Sequence, residues 1–395
     1  MQHYSRDQRR TRIRNRATRY LALLAAVSAS VGVGAIAEGS AAASTHARSV
    51  AAMASGSGVA KAKAALAQWY AKPSSITVST PLNSKPPAGK TLVMLGTSQV
   101  QNVQLQQTMG MLAKLVHWHY SVVSYDPANP ATFESAINTA ITKHANYIFE
   151  AGLPLTPQEI SQVAAAKAKW VLTSVYPATV SGPVIADSNS AASDAVQGRI
   201  LADYFVADSD GKGTAVIEHV PAYSILDGFT NAFVQRVRAL CPACKTSMVD
   251  VTIPDLDAGK LVSEVVGALQ RVPSANYVVF DDGPFADGFS SALSAAGISG
   301  IKIMGEAGDA AGFAALKTGG DLSWTGYSVP FDSWEMMDAA FRNAEGLKVP
   351  GADAYQPTQL ATKANAGSIQ LIPSIGGWNY PSNGFAQFKK IWKLG

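Results

Sequence analysis

Only two cysteines occur in 395 residues, Cys241 and Cys244, in the run CPAC. So low a count excludes a disulfide framework and an all-cysteine zinc site. Other chemical signatures are missing as well. There is no G-x-S-x-G nucleophile elbow and no H-E-x-x-H metal pair. The glycines of Asp210, Gly211, Lys212 and Gly213 do not directly follow a strand pattern, so they indicate a surface turn and not a phosphate loop. His117 and His119 have no further metal ligand nearby, and His144 and His219 stand alone, which points to structural roles. Charged residues make up only 15% of the chain. Outside the first residues no apolar run is long enough to span a bilayer.

The formal charge of +4 is misleading about partners. Residues 1–43 hold seven Arg against Asp7 and Glu38, which leaves the remainder slightly negative. Nothing therefore points to a nucleic-acid partner. The basic stretch has the form of an export signal. Arg9, Arg10, Arg12, Arg14, Arg16 and Arg19 precede an apolar segment over 20–33, followed by small residues with cleavage candidates after Ala37 or Ala43. Arg9-Arg10 leaves both general and twin-arginine export open. An exported chain is expected to keep Cys241 and Cys244 as a small disulfide between a helix and a strand; a redox or half-zinc motif is the alternative. Residues 44–89, first Ala/Ser/Lys-rich and then Pro-rich, are expected to form an extended leader with a short helix near 61–70.

From Lys90 onward, strand and helix patterns alternate. Apolar runs at 91–96, 120–125, 147–149 and 170–175 predict strands. Helical spacing at 103–116 places Leu105, Met109, Leu112 and Val116 on one face. Thr156, Pro157 and Glu159 predict a capped helix start. A second series follows, with strands near 214–219, 245–251, 277–280, 301–304 and 324–329. Two such sets imply an α/β fold of two doubly wound parallel-sheet lobes. In open sheets of this kind, ligands bind at the carboxyl ends of the strands. There the chain offers Asp281, Asp282 and Gly283 after one strand, and Tyr176 and Tyr223 as candidate cleft walls, whereas Phe285 and Trp334, at helix positions, are expected to pack in the core. Alternation along a strand sends Asp281 and Asp282 to opposite faces, so only one of them can meet the cleft.

Four segments carry a family resemblance: YSVVSYDPANPATFESAINTAITKHANYIFEAG, VIADSNSAASDAVQGRILADYF, VIEHVPAYSILDGFTNAF and NYVVFDDGPFADGFSSALSAAGISGIKIMGEAGD. Over roughly residues 90–362 the chain resembles type I periplasmic binding proteins, in the ribose-like branch of sugar ABC-transporter substrate-binding proteins. The resemblance implies a three-crossing hinge near residues 186–189, 327–330 and 355–362. It assigns 90–186 and 329–355 to an N-terminal lobe, and 187–328 and 356–395 to a C-terminal lobe. It implies a monomer with no cofactor and no catalytic residue, which captures a small polar or cyclic ligand for a membrane permease. Carried over position by position, the expected ligand-binding residues are Thr97, Ser98, Gln99, Asn102, Ser174, Tyr176, Tyr223, Asp282, Glu306 and Ser328. The charged Asp-Arg fork of the sugar binders falls on Ser174-Val175 here and is lost, which leaves the ligand class open. Two other readings remain: a sensor presenting ligand to a membrane kinase, and a secreted α/β hydrolase using Asp282 and Glu306 as a carboxylate pair.

Overall fold

The computed structural model describes residues 56–326, 328–351, 357–372 and 377–395. The expected export signal lies outside these residues, as do Tyr327 and Tyr355 of the expected crossings. The described chain opens with a helix over residues 56–66 (α1).

The first sheet comprises β1 (Thr91–Gly96), β2 (His119–Ser124), β3 (Tyr147–Ala151), β4 (Lys169–Thr173) and β5 (Val184–Ser188), in the order β2-β1-β3-β4-β5. Every neighbouring pair is parallel. Alternation along β1 explains its unbroken apolar run. Leu92 and Met94 enter the core under α2 (Val100–Leu115), whereas Val93 and Leu95 enter the core under α3 (Pro130–Thr142) and α4 (Pro157–Ala165). A parallel strand covered on both faces needs apolar residues at every position. Helix α4 starts as its sequence predicts. Thr156 Oγ1 accepts from Glu159 N at 3.3 Å, and the Glu159 carboxylate accepts from Thr156 N at 2.6 Å.

The chain then builds α5 (Ala191–Asp208), β6 (Thr214–His219), α6 (Leu226–Leu240), β7 (Lys245–Asp250), α7 (Ile253–Asp257), α8 (Leu261–Arg271), β8 (Tyr277–Phe280), α9 (Phe289–Ala295), β9 (Lys302–Gly305), α10 (Ala310–Thr318) and β10 (Ser323–Gly326). Helix α11 (Val329–Ala344), β11 (Gln359–Thr362) and α12 (Gly384–Ile391) complete it. The second sheet has the order β11-β10-β9-β8-β6-β7 and is parallel except for β11, which runs antiparallel to β10. Here too the strands feed two cores: Val278 and Phe280 face one, Tyr277 and Val279 the other. The expected fold of two parallel-sheet lobes is the observed one. Strands β5 and β11 fall where the sequence suggested bare crossings. Their short runs, VIADS and QLAT, mix polar and apolar residues and give little strand signal. Cys241 and Cys244 are disulfide-bonded directly after α6, in the turn that leads to β7.

Two segments sit differently from expectation. The leader is partly packed. Ala62 and Leu66 of α1 are buried in the second lobe beside Phe233 and Leu240, while Val78 and Leu82 are buried in the first. It therefore straps one lobe to the other. The tail, assigned by sequence to the second lobe, returns to the first. Phe388 and Trp392 pack on Phe331 and Phe341 of α11 with ring centroids 5.3 Å and 5.1 Å apart. Its pattern FAQFKKIW puts those rings and Ile391 on one helical face, and the apolar partner available to that face is α11.

Helices α5 and α6 cross at two glycines. A Cβ on Gly198 would lie 2.2 Å from the Phe229 carbonyl oxygen, and one on Gly228 would lie 2.6 Å from that of Ala191. Backbone cannot yield as a side-chain tip can, so Gly198→Ala is expected to cost about 3 kcal/mol. Urea unfolding checks this; an unchanged midpoint and slope would refute the close crossing.

Candidate functional site

The carboxyl ends of β1, β3, β4, β8 and β9, the loop after β6, and the starts of α5 and α11 converge on one cleft between the lobes. Its empty space, open mouth included, is about 710 Å³. Strand orders 2-1-3-4 and 7-6-8-9 each reverse beside the first strand of the lobe, β1 or β6, and that reversal opens the crevice above the sheet.

Apart from Asp332 at the start of α11, the first lobe contributes neutral polar groups. Asn102 Oδ1 accepts from Thr97 N at 3.0 Å and from Gln106 Nε2 at 2.7 Å, which fixes the loop after β1. From the end of that loop Gln99 Nε2 donates to the Tyr223 hydroxyl, and from the first turn of α2 Gln101 Nε2 donates to Asp282 Oδ1. With Ser224 Oγ donating to the Tyr176 carbonyl oxygen, these bonds link the two lobes across the cleft. Ser174 Oγ accepts from Asn189 Nδ2 at 2.9 Å. Ser174, Asn189 and Ala307 have positive φ of 54°, 49° and 50°. Strained non-glycine backbone of this kind concentrates at functional sites.

The second lobe contributes carboxyl groups. Asp281 and Asp282 separate as strand alternation requires. Asp281 is fully buried, accepts from Val220 N at 3.1 Å and lies 3.0 Å from His219 Nδ1. Asp282 is half-buried and lines the cleft. Gly283 follows because a Cβ there would meet the Ala307 carbonyl oxygen at 2.3 Å, so only glycine lets the β8 and β9 loops approach. Burial, and then the neighbouring Asp281 and Asp309, push the Asp282 carboxyl well above the usual carboxylate range. Burial and then Asp332 do the same to Asp194; burial and then Asp194 do it to Glu306. Burial raises Tyr223 to about 12, so its hydroxyl keeps its proton.

Of the residues expected from sequence, Gln99, Asn102, Ser174, Tyr223, Asp282 and Glu306 line this cleft, and Ser98 lines an adjoining hollow beside Asp282. The other three line neither. Thr97 spends its backbone on Asn102 and Gln106. The Tyr176 ring is exposed, and only its carbonyl bridges the lobes. Ser328 is buried as the cap of α11, its Oγ accepting from Phe331 N at 3.3 Å. Gln101, Asn189, Asp194 and Asp332 line the cleft without having been anticipated. Asp194 and Asp332 each lie in the first turn of a helix, where an acidic residue is expected for the helix dipole alone. The paired-carboxylate hydrolase reading is not favoured by these electrostatics. Asp282 and Glu306 are both driven toward the neutral form, and are not split into an ionised base and a protonated acid.

Neither a protein-family model nor a curated protein matches the sequence. Solved structures do match its shape. A 5-methylthioribose transporter solute-binding protein from Thermotoga lettingae aligns with a TM-score of 0.63 at 15% identity, covering 80% of this chain and 100% of that one. A galactofuranose-binding protein aligns at 0.62 and 11% identity, covering 71% and 96%. The fold is that of the type I periplasmic binding proteins. A LacI-type transcriptional regulator from Bacteroides fragilis shares it too, with a TM-score of 0.59 at 13% identity over 72% of this chain and 100% of that one. The type I fold therefore places the cleft, while the chemistry of the site comes from this chain's own residues. No described helix is long and apolar enough to cross a membrane.

Proposed function

We propose that the chain is an exported solute-binding protein that captures one small, polar, hydroxylated ligand between its lobes and delivers it to an ABC importer. The observation that carries this reading is a single cleft lined from both lobes by convergent polar groups at the strand ends. The transport neighbours support it by analogy of fold, and the basic, apolar start of the sequence supports export. The lobes move about the chain passages between β5 and α5, between β10 and α11, and between α11 and β11, with the tail and the leader as further connections. The cross-lobe bonds from Gln99 and Gln101 belong to the closed form, and ligand shifts the population toward it.

A thermal-shift screen of sugars, polyols, nucleosides, amino sugars and small amines tests the reading, because a ligand that binds only the folded state raises Tm by mass action. No stabilisation by any compound at millimolar concentration overturns it. Once a ligand is found, Asp282→Ala is expected to weaken it by about tenfold, roughly 1.4 kcal/mol, with the fold retained. Unchanged affinity by calorimetry would remove Asp282 from the site.

A further inference from the structure

The cleft is chemically one-sided. Four carboxyl groups, those of Asp194, Asp282, Glu306 and Asp332, line it, and no Lys, Arg or His does among the described residues. They sit close enough to disfavour one another's ionisation. An acidic lining alone would not define a ligand. The unsatisfied atoms add an independent observation. Glu306 is 2% exposed and its Oε2 has no hydrogen-bond partner among the described residues; Asp194, also 2% exposed, has the same deficit at Oδ1. Asn189 Oδ1, 2% exposed in the same lining, is a third. All three orphans are acceptors once a cation in the cleft holds the two carboxyls ionised. Buried polar atoms are nearly always paired, so an unpaired set in a cavity marks where an occupant supplies the partners.

That occupant must bring donors and, facing several carboxyl groups, positive charge. An ammonium has three donors and no acceptor, which fits a set made only of acceptors. A bare metal ion fits poorly, because the described residues hold no group of three or more His, Cys, Asp or Glu placed to share one. The rings of Tyr223 and Phe285 line the same cavity and offer π faces that attract cations. The neutral amides of Gln99 and Asn102 on the opposite wall suit hydroxyl groups.

We propose that the cleft selects a small hydroxylated ligand carrying a protonated amine, with the amine seated against Glu306 and Asp194 and the hydroxyl-bearing part toward the first-lobe amides. The inference rests on the solute-capture reading and narrows its ligand class.

Calorimetry on the full chain tests it with matched sets. Glucosamine, galactosamine and 1-amino-1-deoxyalditols are each titrated beside the N-acetyl derivative and the parent hydroxyl compound. The amine member is expected to bind at least about tenfold tighter than both counterparts. Glu306→Gln keeps the shape and removes the charge, and is expected to bring the members of a set within about threefold of one another. Asp194→Asn serves as a second, independent variant should the first fold poorly. A neutral member that binds as tightly as its amine, or an amine preference that survives both variants, overturns the inference and leaves solute capture standing. Absence of binding throughout these sets overturns the inference as well. Solute capture then stands or falls on the wider thermal-shift screen, where a neutral hit would retain it.

Discussion

The ligand-free protein is expected to lose stability as pH rises from 5 to 8, against the usual behaviour of a protein whose carboxylates are paired with cations. Asp187 is buried beside the hinge at the end of β5, and burial, with Asp332 adding to it, raises its carboxyl to about 8. Glu150, Asp194, Glu218 and Glu306 are also raised by burial first. In the unfolded chain the same groups release their protons near pH 4. Above that pH the native state holds more protons than the unfolded state, so stability falls as pH rises. Their contribution is complete below the unfolded values and is lost as pH climbs through the folded ones. One such group loses up to about 1.4 kcal/mol per pH unit, so Asp187 alone accounts for up to about 4 kcal/mol between pH 5 and 8. His219 adds to the same trend. Burial opposes its charge, but Asp281, Asp227 and Asp250 outweigh burial and raise its pKa, so its contribution also fades with rising pH. For a chain of this length the Asp187 contribution alone corresponds to a Tm decrease of roughly 5 °C. Thermal unfolding at constant ionic strength measures it. A Tm that holds or rises over that interval would show that these carboxyls ionise freely in the native state. An amine ligand should offset the loss, because a cation in the cleft favours the ionised carboxylates, and its stabilisation should therefore grow with pH.

The sequence made the two lobes legible because each parallel strand is covered on both faces and announces itself as a short apolar run, as TLVMLG and YVVF do. It hid β5 and β11, whose residues at the lobe edges are polar in part. It also separated Asp281 from Asp282, since alternation is a local rule and β8 obeys it through its last residue. The cleft was half visible. Strand-end residues such as Asp282, Glu306 and Tyr223 could be placed by topology. Asp194 and Asp332 could not, because each lies in a first helical turn where an acid needs no further explanation, and only the packing of α5 and α11 turns them into the cavity. Burial without a partner, the property that gives Glu306 and Asp194 their meaning, depends on residues distant in the chain. The missing Asp-Arg fork left the ligand class open in the sequence; the charge asymmetry emerges only when folding brings Asp194 and Asp332 into the same space as Asp282 and Glu306.

Arg342→Met is expected to be among the most destabilising single substitutions in the chain. Arg342 is 2% exposed, and its Nε meets Asp338 Oδ2 at 2.6 Å one turn earlier on α11. Its Nη2 donates to the Thr80 carbonyl oxygen at 2.7 Å, and Asp338 Oδ1 accepts from Trp392 Nε1 at 2.8 Å. One buried ion pair thus joins the leader strap, α11 and the C-terminal tail. Removing the guanidinium leaves the Asp338 carboxylate buried without its cation and the Thr80 carbonyl without its donor, a loss of about 3–5 kcal/mol. The strap should loosen first, because its other hydrogen bonds to the end of α11, from Asn83 and Ser84 to the Glu345 carboxylate, are exposed, which leaves the Leu82 N to Ile391 O bond at 2.8 Å and the packing of Val78 and Leu82 to hold it. Urea unfolding gives the magnitude, and amide exchange over residues 78–84 locates it. A cost below about 1 kcal/mol would mean that this bond and the apolar packing suffice to hold the strap. Replacing both charges, Arg342→Met with Asp338→Leu, is expected to recover part of the loss, since no buried charge is then left without its partner. The consequence reaches the cleft, because α11 carries Asp332 in its first turn. Whatever seats α11 against the strap and the tail also fixes where that carboxyl stands in the cleft.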